Sequence, residues 1–219
     1  MTTTTENPSI VCYNVSWEDS FYLSAGLAVK IKEAKYVPDI IIAISRGGLV
    51  PARIVADFML ERNLLCLRAE HWDVGTKHKK VKITGSTTNL ESKNVLVVDD
   101  VADSGDTLFE MVKYLKERGA ASIVTAALHY KKTSIFKPDF FIEQMDKWQW
   151  IVYPWSIYED TSDFIKKITA QPHTAEQIYH RLGASFNLEI ERKLFDIILD
   201  EMKSDGMIAL NKDALVQVR

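Results

Sequence analysis

The chain has 219 residues, of which 47% are hydrophobic and 26% charged, and its formal net charge is −3. This length suits one α/β domain with a small appendage, and the weakly acidic balance argues against a nucleic-acid partner held by bulk positive charge. No apolar run approaches the ~20 residues of a membrane span. The polar N-terminus MTTTTENPS lacks the apolar stretch of a signal peptide, and Cys12 and Cys66 have no metal-ligand spacing. These features predict a cytoplasmic protein without a membrane partner.

Strand and helix patterns alternate along most of the chain. In chain order they predict a helix at residues 17–34, a strand at 40–44, a helix at 51–61, strands at 64–67 and 95–98, a helix at 108–119, and strands at 123–129 and 140–142. The polar, partly basic segment 70–90 predicts a flexible loop with short strand-like pieces. Strands that alternate with helices indicate an α/β fold with a parallel sheet flanked by helices.

The composition changes after about residue 158, and a different pattern follows. It predicts helices at residues 174–182 and 188–204 and a hairpin of strands at 207–210 and 214–218. We therefore expect residues 1–160 to form the core domain. Residues 161–219, called the appendage below, are expected to be small, mostly helical and winged-helix-like.

The most informative stretch is residues 94–107, NVLVVDDVADSGDT. An apolar strand is followed by Asp99 and Asp100, and then by a turn of small and polar residues that leads into a helix. A helix N-terminus offers unpaired backbone N–H groups and the positive end of its dipole to a phosphate, and Gly105 allows a close approach of the backbone. The two acids suit ribose hydroxyls and a divalent cation. The stretch therefore predicts a sugar-phosphate site.

Three other kinds of structure share parts of this pattern. Receiver domains of two-component signalling also contain strings such as VLVVDD, but near their N-terminus and with a phosphoacceptor Asp after a later strand. Here 93 residues precede the stretch, and Asp146 lies among Met, Lys and Trp without that context. A calcium loop needs alternating acids and a distal Glu, which this spacing does not provide. A solvated acidic turn would leave the glycine-rich motif at residues 45–48 unexplained.

The stretch resembles the phosphoribosyl-pyrophosphate (PRPP) motif of the type I phosphoribosyltransferases. That motif has four apolar residues, two acids, a short variable stretch and a small-residue turn that ends in Gly-x-Thr. The resemblance covers roughly residues 17–158 and implies the type I phosphoribosyltransferase fold. It also implies PRPP binding by Asp99, Asp100, Asp103, Ser104, Gly105, Asp106 and Thr107. Asp99 and Asp100 would hold Mg²⁺, and the 5′-phosphate would lie on residues 103–107.

The string SRGGL at residues 45–49 resembles the pyrophosphate-binding loop of the bacterial xanthine–guanine branch of this family. Arg46 can pair bidentately with phosphate oxygens, and Gly47 and Gly48 let backbone N–H groups point at an anion. The resemblance implies pyrophosphate binding by Ser45, Arg46, Gly47 and Gly48, and a cis peptide bond between Arg46 and Gly47. The alternative is an ordinary glycine-rich turn after a strand.

The basic segment 77–82 lies where the family has its flexible catalytic hood, within the predicted loop at 70–90. Closure of such a loop would exclude water from the reacting centre and bring cations to the leaving pyrophosphate. The alternative is a solvated surface loop, and the spacing assigns no role to any single lysine.

An aromatic stretch at residues 148–155 resembles the base-binding segment of the 6-oxopurine branch. By that match Trp150 would stack on the purine and the backbone of Ile151 would meet its edge. Core packing is the alternative for Trp150, and more so for Trp148 and Trp155. The family's Pro-Trp pair is usually followed by an acid, whereas here Ser156 follows.

Two further assignments follow from the resemblance. A lysine at the end of the strand at 123–130 would donate to the base oxygen at position 6, and strand alternation lets only one of Lys131 and Lys132 face the site. Lys131 fits the family alignment better. Asp103 matches the carboxylate that hydrogen-bonds purine N7 and shuttles its proton, which gives it the catalytic role.

The resemblance thus implies a purine phosphoribosyltransferase that uses Mg²⁺, small-molecule substrates and a homodimeric or larger assembly. An inward Lys131 suits hypoxanthine, guanine or xanthine, and an outward one suits adenine, so the base stays open. A PRPP-sensing transcriptional regulator with a winged-helix DNA-binding domain is a second class. Residues 171–219 contain six Lys/Arg and eight Asp/Glu, a net charge of −2, which argues against that class.

Overall fold

The computed structural model describes residues 10–72, 80–85, 89–210 and 216–218. In chain order the elements are β1 (Cys12–Asn14), α1 (Trp17–Glu33), β2 (Ile40–Ser45), α2 (Leu49–Met59), β3 (Leu64–Trp72), β4 (Lys80–Thr84), β5 (Asn94–Ala102), α3 (Asp106–Lys116), β6 (Ser122–Lys131), β7 (Phe140–Met145), β8 (Trp150–Val152), α4 (Ile157–Ile168), α5 (Ala175–Phe186), α6 (Arg192–Ser204), β9 (Ile208–Leu210) and β10 (Val216–Val218). The chain forms two compact units. We call Glu18–Trp148 the sheet unit, and Met1–Trp17 with Gln149–Arg219 the terminal unit.

The sheet unit is built on a six-stranded sheet of order β4-β3-β2-β5-β6-β7. All neighbouring strands run parallel except the antiparallel pair of β3 and β4. The chain turns in opposite directions after β2 and after β5, so the loops that follow these adjacent strands open towards each other. Ligands in open α/β sheets bind at such a switch point, at the carboxyl edge of the strands. The predicted α/β fold with a parallel sheet flanked by helices is confirmed, with β4 as the one antiparallel strand of this sheet among the described residues.

The central strands are apolar because both of their faces are buried. Ile41 and Ile42 are consecutive in β2 and point to opposite faces, yet neither has accessible surface. On one face the core joins the sheet to α3 through Leu108, Met111 and Leu115. This packing fixes α3 so that its N-terminus follows directly from the carboxyl end of β5.

Two predicted boundaries in the sheet unit are wrong. The strand expected at 64–67 extends to Trp72, where β3 pairs with β4, and β4 lies where the predicted loop at 70–90 was expected to carry strand-like pieces. Residues 73–79 and 86–88 lie outside the described residues, and with them residues 77–79 of the predicted hood, whereas residues 80–82 belong to β4. The strand expected to end before Asp99 continues to Ala102, because its ladder with β6 extends through Asp99 to Ala102.

The terminal unit joins the N-terminal strand to the end of the chain. β1 pairs in parallel with β8, β9 and β10 form an antiparallel hairpin, and α4, α5 and α6 surround a shared core. Cys12 and Val152 lie in that core with residues of the appendage such as Phe195 and Met202. Because β8 packs with the appendage, the packing boundary falls between residues 148 and 149, whereas the sequence placed it between 160 and 161.

The predicted order of two helices and a hairpin is found at α5, α6, β9 and β10, while β1, β8 and α4 were not predicted as elements. α5 begins at a capping box in which Thr174 and Gln177 satisfy each other's backbone N–H groups. None of the helices in the described part of the chain is both long enough and apolar enough to cross a membrane.

Candidate active site

Two adjacent acids lie near the carboxyl end of β5. The Asp99 side chain is buried and Asp100 is partly exposed. The backbone N–H of Asp100 donates to Asp99 Oδ1 at 3.0 Å. Burial, followed by the charge of Asp100, raises the pKa of Asp99 well above its usual range. The pair therefore concentrates negative charge at a position that a cation or a hydroxyl donor would stabilise.

The turn between β5 and α3 is held tightly from outside. Gly105 has φ +88°, and a Cβ there would lie 2.5 Å from Ser134 Oγ and 2.6 Å from the Phe136 nitrogen. The backbone N–H of Ile135 donates to the Ser104 carbonyl at 2.9 Å. Only glycine fits this left-handed and crowded position, so the turn after β6 fixes the shape of the turn before α3.

A cavity of about 210 Å³ lies over this turn, and it is lined by residues 99–105 with Thr107 and Leu108. Every lining residue belongs to the stretch singled out in the sequence or adjoins it. Small-molecule sites usually measure about 300–1,000 Å³. The cavity is therefore suited to one part of a ligand, such as a phosphate with part of its sugar, beside the N-terminus of α3.

The loop between β2 and α2 packs directly on the two acids. A Cβ on Gly47 would overlap the Asp100 carboxylate, and a Cβ on Gly48 would lie 2.7 Å from the Ile44 carbonyl oxygen and 3.0 Å from Asp99 Cα. The structure thus brings the two glycine-containing motifs together.

One detail of this loop corrects the sequence prediction. The cis peptide bond joins Ser45 to Arg46, one bond earlier than expected. The backbone N–H of Gly48 donates to the Ile44 carbonyl at 2.8 Å, so the turn that carries Arg46 closes on the end of β2. The Arg46 side chain is exposed at this turn.

Lys131, the last residue of β6, and Lys132, which follows it, point in opposite directions. Lys131 is only 3% exposed, and its Nζ lies 2.8 Å from Asp103 Oδ2. Lys132 is exposed, and its Nζ lies 3.4 Å from Asp146 Oδ1. Lys131 is therefore the lysine that faces the predicted catalytic acid.

Two neighbours of Lys131 were not singled out from the sequence as partners. The Trp148 ring lies with its centre 4.7 Å from Lys131 Nζ. His129 is fully buried on the same strand, with Nε2 3.1 Å from Glu143 Oε2. Burial lowers the pKa of His129, although the Glu143 carboxylate opposes that shift.

Trp150 and Ile151 belong to the terminal unit, where β8 carries them. Trp150 Nε1 donates to Asp160 Oδ1 at 2.9 Å, and Ser156 Oγ donates to Asp160 Oδ2 at 2.7 Å. Burial raises the pKa of Asp160. Sequence reasoning missed Asp160, although its place one helical turn after Ser156 is a signal for such a contact. Ser156 and Trp150 thus both donate to the carboxylate of Asp160 in α4.

The residues suited to a metal are Asp99 and Asp100. Among the described residues no group of three or more His, Cys, Asp or Glu side chains could enclose an ion. Magnesium commonly binds through one or two carboxylates and completes its shell with waters and substrate phosphates. The donor set therefore fits a magnesium ion that arrives with a phosphorylated ligand.

Replacing Asp99 with asparagine is expected to raise Tm in metal-free buffer at neutral pH. Asparagine keeps the acceptor for the Asp100 N–H and removes a buried charge beside another carboxylate. A gain of about 1 kcal/mol would appear as roughly 2–4 °C in a chain of this size. Thermal unfolding of both proteins measures the difference.

The pH dependence of this gain has a definite sign. A folded-state pKa raised above the unfolded value of about 3.9 means that ionisation costs stability as pH rises through the folded pKa. The gain in stability of Asp99→Asn should therefore shrink as the pH is lowered below the folded pKa of Asp99 and vanish near the unfolded pKa of about 3.9. A variant that melts below the wild type at neutral pH would contradict the expectation.

Comparison with known proteins places this arrangement in a family. Residues 16–160 match the model of the phosphoribosyl transferase domain, which runs across the packing boundary into α4. A xanthine-guanine phosphoribosyltransferase of Idiomarina loihiensis is 32% identical over 146 residues, which are 66% of this chain and 86% of the relative.

Solved structures show the same fold. A purine phosphoribosyltransferase from Pyrococcus horikoshii has 32% identity and a TM-score of 0.59, and the alignment covers 66% of this chain and 93% of that one. A hypothetical protein from Neisseria gonorrhoeae, solved with bound ppGpp, has 29% identity and a TM-score of 0.59, with 68% and 91% covered. The regulator alternative gains no support, because both relatives with an assigned activity are named as transferases. From residue 16 to residue 160, this chain belongs to the phosphoribosyltransferase family of pentosyltransferase enzymes.

Proposed function

We propose that the chain transfers a phosphoribosyl group from PRPP to a 6-oxopurine, which gives a nucleoside 5′-monophosphate and pyrophosphate. The base is hypoxanthine, guanine or xanthine. The purine ring nitrogen forms a bond to C1 of the ribose while the bond from C1 to pyrophosphate breaks. The proton on N7 passes to Asp103, which acts as the general base.

One observation carries this choice of base, the contact of 2.8 Å between Lys131 Nζ and Asp103 Oδ2. A 6-oxopurine presents an acceptor oxygen at position 6 beside N7, whereas adenine presents an amino donor there. A lysine ammonium only donates and an ionised carboxylate only accepts. The adjacent pair therefore matches O6 and a protonated N7 of an oxopurine, and it would set donor against donor at the amino group of adenine.

The other residues are assigned to the PRPP half of the reaction. Asp99 and Asp100 would bind the ribose hydroxyls and a magnesium ion, which neutralises charge on the pyrophosphate when bound. Residues 103–107 would bind the 5′-phosphate at the N-terminus of α3. Ser45, Arg46, Gly47 and Gly48 would bind the pyrophosphate, since their loop lies against Asp100. Trp150 and Ile151 would contact the base.

The names of the relatives support the proposal. The Idiomarina loihiensis protein is named for xanthine and guanine, and the Pyrococcus horikoshii protein for purines. The homo-oligomeric state and the cytoplasmic location stay predictions from the sequence.

A spectrophotometric assay with PRPP and magnesium tests the proposal, with hypoxanthine, guanine, xanthine and adenine offered in parallel. We expect turnover of at least one oxopurine and a far lower kcat/KM for adenine. Efficient turnover of adenine alone would refute the assignment of the base. Loss of turnover after chelation of magnesium, with recovery on its return, would support the proposed role of the metal.

Replacing Lys131 with methionine is expected to lower kcat/KM for hypoxanthine by about 10- to 100-fold, the scale of losing a hydrogen bond to a charged group. Methionine fills a similar volume without the charge. Lys132→Met is the matched control, because Lys132 is the adjacent lysine and is exposed, where it pairs with Asp146. Equal losses in the two variants would argue against the specific role of Lys131.

A further inference from the structure

The ammonium group of Lys131 is attracted by two different partners. Its Nζ lies 2.8 Å from the Asp103 carboxylate and 4.7 Å from the centre of the Trp148 ring. A cation within about 6 Å of an indole centre is attracted by the negative face of the ring. Trp148 is 48% exposed, so it contacts the buried ammonium while the rest of its ring borders solvent.

The path of the chain after β7 explains why this tryptophan reaches Lys131. β6 and β7 run parallel with Lys131 opposite Met145, and the Lys132 N–H donates to the Met145 carbonyl at 3.0 Å. Three residues beyond Met145 the chain reaches Trp148. Asp146, in the same segment, binds Lys132 on the outside. The segment 146–148 therefore contacts both lysines, Lys131 through Trp148 and Lys132 through Asp146.

An aromatic face attracts a cation without occupying its N–H donors as a hydrogen-bond acceptor would. The ammonium has three N–H donors, and Asp103 accepts one of them. A second carboxylate in place of Trp148 would compete with a ligand carbonyl for the remaining donors and would cancel the positive charge. The ring attracts the ammonium but leaves its remaining N–H groups able to donate to a ligand and its positive charge uncancelled.

We propose that Trp148 is a positioning residue that keeps the Lys131 ammonium directed at position 6 of a bound oxopurine, and so contributes to the choice of oxopurine over adenine. This inference rests on the proposed function, because it assumes that Lys131 contacts the base. Trp148 acts through Lys131 and not by contact with the reacting atoms.

The test uses Trp148→Leu and Trp148→Phe in the full chain, with KM for the oxopurine and KM for PRPP measured separately. Trp148→Leu should raise KM for hypoxanthine about 2- to 30-fold, the range of a cation–π attraction, while KM for PRPP stays within about 2-fold. Trp148→Phe keeps a ring face and should show a smaller rise. Tyr22→Leu, which alters an exposed aromatic residue on α1, is the control and should leave both constants unchanged.

A double-mutant cycle separates this role from direct stacking on the base. In a Lys131→Met background, Trp148→Leu should have no further effect on KM for hypoxanthine, because the ring has no cation to hold. An undiminished effect in that background, or no effect of Trp148→Leu in the wild type, overturns the inference. If the wild type turns over no oxopurine, the proposed function fails and this inference fails with it, which is a different result from turnover that is insensitive to Trp148.

Discussion

Replacing Asp103 with asparagine is expected to lower kcat for the oxopurine by about 10²-fold or more, the usual scale of losing a general base. Asparagine keeps the size of the side chain and can still accept a hydrogen bond from Lys131, but it cannot take up the N7 proton. KM for PRPP should change little, because the backbone of the turn supplies the proposed phosphate contacts. Steady-state kinetics with each substrate varied in turn measures both effects.

The structure adds a control to this experiment. Lys131 is buried and paired with Asp103, so Asp103→Asn also leaves a buried ammonium without its carboxylate. Asp103→Asn in a Lys131→Met background removes that electrostatic cost. If the loss of kcat reflects general-base chemistry, it should persist in that background. A normal kcat for Asp103→Asn would mean that Asp103 only shapes the turn and pairs with Lys131.

Replacing Gly47 with alanine is expected to lower kcat/KM for PRPP by about 10²-fold, the scale associated with a shift of ~1 Å in an active site. The new Cβ would occupy the place of the Asp100 carboxylate, which must rotate away from the position proposed for the metal and ribose. The overlap involves a side chain that can move, so Tm should fall little. Kinetics and thermal unfolding of the same preparation test both parts.

Alanine variants of two other glycines serve as comparisons for Gly47→Ala. In Gly48→Ala the added carbon would meet the backbone of Ile44 and Asp99, which cannot rotate away, so Tm should fall clearly. In Gly183→Ala the added carbon meets nothing within 4 Å inside α5, so stability should stay unchanged or rise by about 0.5–1 kcal/mol. Normal PRPP kinetics in Gly47→Ala would show that Asp100 does not need its observed position.

The loops and strand ends show where prediction from sequence succeeded and where it did not. The apolar run at 95–98 predicted a buried strand because a parallel sheet between helices demands apolar residues on both faces. The same rule gave no end point for the strand, since Asp99 to Ala102 remain in the ladder only because β6 lies beside them. The pairing of β3 with β4 was not predicted, although strand-like pieces were expected there, because the short edge strand β4 carries only a weak apolar pattern.

In the terminal unit, too, elements with a local pattern were predicted from the sequence and a long-range strand pairing was not. Helix patterns with clear amphipathic spacing predicted α5 and α6, because each buries one apolar stripe in the core that they share. The pairing of β1 with β8 joins residues nearly 140 positions apart, so no local pattern could reveal it. That pairing is what places β8, which carries the predicted base contacts Trp150 and Ile151, in the terminal unit.

The sequence by itself was sufficient to predict a sugar-phosphate site, because the acids, the small-residue turn and the start of α3 are contiguous at residues 94–107. The tertiary structure decided which lysine faces Asp103, which carboxylate Gly47 must avoid, and which tryptophan touches Lys131. Each of these contacts joins residues from different strands or loops. Their geometry depends on the register of the sheet and the path of the chain between strands, which local composition does not encode.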